Sequence, residues 1–135
     1  MTIASVEISA NVPNSTSKFT QTLKSLLELL DLEDDDEYGT LRPTESAFKT
    51  TINLIVEAYE HLGEHFPQGR ASTDDEGGIR INWKNRAQDL RVCLFCPSNL
   101  SEKAYIYHQK NDEYASDEQV DGVTLVRWLD WFNQP

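Results

Sequence analysis

Apolar positions along the chain recur first at helical and then at strand spacing. Phe19, Leu23, Leu26, Leu27 and Leu30 make one helical stripe. Pro13 and the Asn14/Ser15/Thr16/Ser17 group punctuate the chain before it and offer an N-cap. A second helix is expected after Arg42, with Pro43 and Thr44 as start signals. Phe48, Ile52, Ile55, Tyr59 and Leu62 keep its period, and Gly63 comes where a helix ends. Two such helices joined by a short loop predict an antiparallel hairpin.

The period then changes to two. Ile79, Ile81 and Trp83 alternate with Arg80, Asn82 and Lys84; Leu90, Val92 and Leu94 form a second set; Tyr105 and Tyr107 flank Ile106 in a third. "KNRAQD" and "PSNLSEK" read as the turns between them, and "DEYASDEQVDG" as a polar connection. Asp121 is placed to cap a closing helix in which Leu125, Trp128, Leu129 and Phe132 share a face. Val6, Ile8, Ala10 and Val12 also alternate, so residues 1–13 can form an edge strand or stay a flexible arm. The expected fold is α+β, a single domain over 1–135. In it a helical hairpin packs with a small antiparallel sheet of about three strands and a C-terminal helix.

Charge narrows the partners. The 135 residues carry 12 Lys and Arg against 23 Asp and Glu, a net charge of -11. That balance argues against nucleic acid, which needs clustered cations, and favours a basic protein partner or simple solubility. No apolar stretch reaches membrane-spanning length, so no membrane association is expected. The N-terminus lacks a basic region followed by a long apolar run, which makes the cytoplasm the default expectation. The sequons at Asn14 and Asn99 then carry no meaning.

Candidate chemistry is sparse. In "DLEDDDEYGTLRPTE", Asp34, Asp36, Gly39, Leu41 and Glu45 fit positions 1, 3, 6, 8 and 12 of a helix–loop–helix calcium site. Tyr38, Arg42 and Pro43 stand at positions that want oxygen or a continuing loop, so a solvated turn near a helix N-terminus is the better reading. Glu57, His61 and His65 would stack on one face of a continued helix and could bind Zn²⁺, but Gly63 and Pro67 interrupt it. Cys93 and Cys96 form a lone C-x-x-C whose members point to opposite faces of a strand, which favours buried apolar thiols. No nucleophile motif or phosphate loop is present, and no metal or cofactor is expected. Trp131 is the aromatic residue expected to stay half exposed.

"EYGTLRP" before a helix, then "STDDEGGIRINW", then a strand and "AYIYH", resembles a group of small bacterial proteins of uncharacterised activity. Those carry a G-W-D-x-Y-G-A-x-P loop, a helix, a proline-threonine-x-x-G-G-i-x-l-x-W strand and short hairpins. Tyr38-Gly39, Pro43, Gly77-Gly78-Ile79 and Trp83 match as they stand. The Trp-Asp pair before Tyr38 is replaced by Asp35-Asp36. The resemblance spans Leu26 to Trp131 and implies that the acidic loop is a joint between helices. Some of those proteins lie beside toxin-like genes, which implies an antitoxin-like or defence-associated partner role.

The sequence identifies no reaction, and the reading leans away from an enzyme. The expected function is a non-catalytic acidic interaction protein that binds a basic partner. Asp34, Asp35, Asp36 and Glu37 form one contact patch, Asp74, Asp75 and Glu76 another, with Trp131 as an aromatic contact. The alternatives are a metal-binding protein or metal-dependent hydrolase using Glu57, His61 and His65 or the acidic loop, and an acidic nucleic-acid mimic that inhibits a DNA-binding protein.

Overall fold

The computed structural model describes residues 14–33, 42–118 and 120–135, with side chains from residue 18 onward. The expected strand or arm over 1–13 lies outside these residues. Helix α1 spans Asn14–Glu28 and tightens into a 3₁₀ turn at Leu29–Asp31. Helix α2 spans Glu45–Leu62. Thr44 caps it, its hydroxyl accepting from the Ala47 N–H at 3.1 Å and donating to the Ser98 carbonyl at 2.6 Å. Gly63, with φ +53°, ends it. Five strands follow: β1 Arg70–Thr73, β2 Ile79–Asn85, β3 Leu90–Cys96, β4 Tyr105–Lys110 and β5 Glu113–Asp117. Helix α3, Gly122–Asn133, closes the chain; Asp121 caps it, accepting from the Thr124 N–H at 2.9 Å.

The strands form one antiparallel meander in the order β1-β2-β3-β4-β5. Among the described residues the sheet thus has five strands where the alternation predicts about three. Both extra strands are short, polar edges. β1 is "RAST", and β5 is the first part of the expected polar connection, exposed almost throughout. Neither carries the alternating apolar residues that mark a half-buried strand; backbone pairing to β2 and β4 makes them strands.

One face of the sheet meets the helices. Ile79, Ile81, Trp83, Val92, Leu94, Cys96 and Ile106 point into this core against Leu26, Ile55, Leu125 and Leu129, all fully buried. The Trp83 indole N–H donates to the Pro67 carbonyl at 3.0 Å. Its ring fills the space a Cβ on Gly69 would need, 2.7 Å away, so position 69 has no room for a side chain. Ala47, Thr51 and Ala58 put small side chains on the buried face of α2, which lets the helix sit close to its neighbours.

Two details of the helical layer differ from expectation. The backbone of α2 runs closest to α3, whereas α1 lies along β1 and meets α2 through Phe19 stacked on Tyr59 at 4.0 Å. The pair is therefore no close hairpin. The face of α1 is also rotated, with Thr22, Leu26 and Leu29 buried and Leu27 45% exposed. The cause is hydrogen bonding. Thr22 Oγ1 accepts from the Gly69 N–H at 2.8 Å, and Ser25 Oγ accepts from the Ala71 N–H at 3.0 Å. These hydroxyls satisfy backbone donors at the β1 edge, which would otherwise be an open pairing template.

Candidate functional site

Alternation along each strand sends every second side chain away from the core, and cross-strand pairing sorts these into rows. One row runs Arg70, Asn82, Cys93, Tyr107 and Ser116; a second runs Ser72, Arg80, Phe95 and Tyr105; a third runs Lys84, Arg91, Gln109 and Tyr114. No Asp or Glu stands in any of them. Four cations and four aromatic rings thus share one face of a chain whose net charge is -11.

The cations on this face are held by rings and amides. The Arg80 guanidinium lies 5.9 Å from the centroid of Phe95, and that of Arg91 lies 5.9 Å from Tyr107. Arg91 also donates through Nε and Nη2 to Asn82 Oδ1 at 3.2 and 3.0 Å. Among the described residues, none of Arg70, Arg80, Lys84 and Arg91 pairs with a carboxylate. Phe95 stacks on Tyr105 with centroids 4.9 Å apart, and Tyr107 lies 6.0 Å from Tyr114. Tyr105 is 38% and Tyr114 70% exposed, so ring surface faces solvent. Cys93 sits among them; burial pushes its thiol up, while Arg91, Arg80 and Lys84 pull the other way. Beside the rings, over β1 and β2, a groove of about 470 Å³ is lined by Gln68, Arg70, Ser72, Asn82, Lys84 and Arg86. Such a face can bind an anion and stack a planar group.

The residues singled out from the sequence fall elsewhere. Asp34, Asp35, Asp36 and Glu37 lie outside the described residues. The backbone at either side of that segment is tied, with the Arg42 N–H donating to the Glu33 carbonyl at 2.9 Å. The Thr44 N–H in turn donates to the Gly77 carbonyl at 3.0 Å. Gly77 has φ +87° and packs against Thr44 and the Arg42 carbonyl, which suits glycine alone. The Asp74–Glu76 turn therefore leads into a glycine packed on Arg42 and Thr44, which follow the acidic segment in the chain. Asp74 is committed to that turn, its Oδ1 accepting from the N–H groups of Glu76 and Gly78, both at 2.8 Å. Asp75 and Glu76 remain exposed.

Glu45, the last position of the calcium alignment, pairs with Lys49 at 2.8 Å, and Lys49 holds its carboxyl below the usual range. Helix α2 ends at Leu62, so His65 falls in the next turn, while His61 Nδ1 lies 3.1 Å from the Glu57 carbonyl oxygen. The Glu57 carboxylate lies against Gly122. Among the described residues, no three His, Cys, Asp or Glu side chains are grouped to hold a metal ion. Cys93 and Cys96 point to opposite faces and are both free and buried; burial pushes the Cys96 thiol up to about 11.

Trp131 is half-buried in a cleft of about 290 Å³ between the β4–β5 hairpin and α3, beside His108 and Trp128. His108 stacks on Trp128 with centroids 3.6 Å apart. Burial pushes the His108 pKa down, Asp117 opposes that, and Arg127 adds to it. The Asp117 carboxylate is engaged by Arg127 at 2.8 Å and by the Trp128 indole N–H at 3.3 Å.

Sequence reasoning passed over both this cleft and the cationic face. The signal for the face was present: Arg80, Lys84 and Arg91 occupy the polar positions of the two strands read most clearly. Compared with models of protein families, with curated proteins and with solved structures, the chain matches none.

Proposed function

We propose that this chain is an interaction protein that presents the outer face of its sheet to an anionic partner. The observation that carries the reading is the segregation of charge. The three outward rows hold Arg70, Arg80, Lys84 and Arg91 and no carboxylate, in a chain with 23 acidic residues. Carboxylates elsewhere keep the molecule soluble and repel anions from the wrong sides, which leaves one face for docking. A heparin column tests this at low salt. The parent should be retained despite its net charge. The Arg80→Gln/Lys84→Gln/Arg91→Gln variant should pass through, and Asp75→Asn/Glu76→Gln should behave like the parent. A parent that passes straight through removes the reading.

A second reading keeps the antitoxin-like role and a basic protein partner. The Thr44–Gly77 hydrogen bond favours it, because it ties the Asp74–Glu76 turn to Thr44, seven residues after Glu37 in the chain. Neutralising Asp34, Asp35, Asp36 and Glu37 as amides would then slow association with such a partner at low salt, with little effect near a few tenths molar. Equal rates for both forms at low salt would reduce the segment to a solvated turn.

A further inference from the structure

The outer face offers more than charge. Rings and cations alternate across it: Arg80 lies over Phe95, Phe95 stacks on Tyr105, and Arg91 lies over Tyr107. A polyanion without rings, such as polyphosphate or an acidic peptide, would use the guanidinium and ammonium groups and leave the aromatic surface idle. Duplex nucleic acid hides its base faces in the stack, where rings on a sheet surface cannot reach them. Unpaired bases have both faces free and a phosphate beside each one. Stacking on aromatic side chains next to a basic groove is how sequence-tolerant single-strand binding is built.

We propose, resting on the reading that this face takes an anion, that its ligand is single-stranded nucleic acid. Bases stack on Tyr105, Tyr107 and Tyr114, and phosphates lie along the groove of Arg70, Lys84 and Arg86. The arrangement places the rings on β4 and β5 and the groove on β1 and β2. Strands lie roughly 4.8 Å apart, so the ligand runs across the sheet over a span of about 19 Å from edge to edge. Asn82, beside the groove and bonded to Arg91, couples the two halves. The acidic remainder of the chain opposes binding anywhere else and keeps the affinity modest.

Fluorescence anisotropy with labelled single-stranded oligonucleotides of about 12 nucleotides, DNA and RNA, at low salt, tests the assignment. Saturable binding is expected, falling roughly 10- to 50-fold between 50 and 200 mM salt as about four phosphate contacts release counterions. Polyphosphate, polyglutamate and a duplex of the same sequence should compete at least about ten-fold less well. Tyr105→Leu/Tyr107→Leu keeps apolar bulk and removes the rings; it should weaken oligonucleotide binding at least ten-fold while leaving heparin retention in place. If that pair fails to melt like the parent, Tyr114→Leu, at a 70% exposed position, carries the same comparison with a smaller loss. Polyphosphate or polyglutamate competing as well as the oligonucleotide, or tyrosine variants that bind it normally, would overturn the nucleic-acid assignment and leave the anionic-partner reading standing. If the parent binds neither oligonucleotide nor heparin, both fall.

Discussion

Single residues show how closely this fold ties polar groups to packing. Trp83 is fully buried on the core side of β2 and spends its one donor on the Pro67 carbonyl. Trp83→Ala should cost about 3–5 kcal/mol in urea unfolding, from lost burial and the cavity left behind. A variant that unfolds like the parent would put the register of β2 in error. His108 makes a different prediction. Its pKa is held down chiefly by burial, helped by Arg127 and opposed by Asp117. The unfolded chain therefore binds a proton more readily than the folded one, and stability rises with pH through that interval. The contribution is complete above the unfolded value of about 6.5 and is lost as pH falls through the lower folded value. Phe can keep the stack on Trp128 without a titrating group. Between about pH 7 and 5 the melting temperature of the parent should fall more steeply than that of His108→Phe. Parallel curves would mean that the stack does not discriminate against the charged imidazole.

At the scale of elements, the edge of the sheet governs how α1 sits. Thr22 and Ser25 take up backbone donors along β1 by accepting from Gly69 and Ala71. Thr22→Val keeps the shape of a fully buried side chain but orphans the Gly69 N–H, so it should cost about 1–3 kcal/mol. Leu27→Ala, at a position that reads as apolar stripe but is 45% exposed, should stay within about 0.5 kcal/mol. Equal losses for the two would show that the hydroxyl bonds do not set the rotation of the helix. The opposite strand, β5, has no such cover among the described residues and is exposed nearly along its length there. Its Glu113 and Asp117 are charges of the kind that discourage pairing with a second copy.

Over the whole molecule, net charge is a sum and does not say where its parts lie. The value of -11 was legible at once, yet Arg70, Arg80, Lys84 and Arg91 come together only because two turns reverse the chain and pairing aligns residues up to about twenty positions apart. Local signals were enough for helix α2, from Thr44 to Gly63, and for the Asp121 cap of α3, since caps and helical periods act within a few residues. They were also enough for the inward faces of β2 and β3, because alternation fixes a strand's two sides before its partners are known. Strands β1 and β5 were beyond reach, since their residues carry no apolar alternation and only backbone pairing with a neighbour makes them strands. The same is true of the rotated face of α1, set by donors more than forty residues away, and of His108 on Trp128. The sequence by itself determined the α+β class, most elements and the side of the sheet that is buried, because those follow from short-range sterics and hydrophobic period. Which polar residues meet on the other side was decided by tertiary structure alone, since register and strand order depend on contacts between residues distant in the chain.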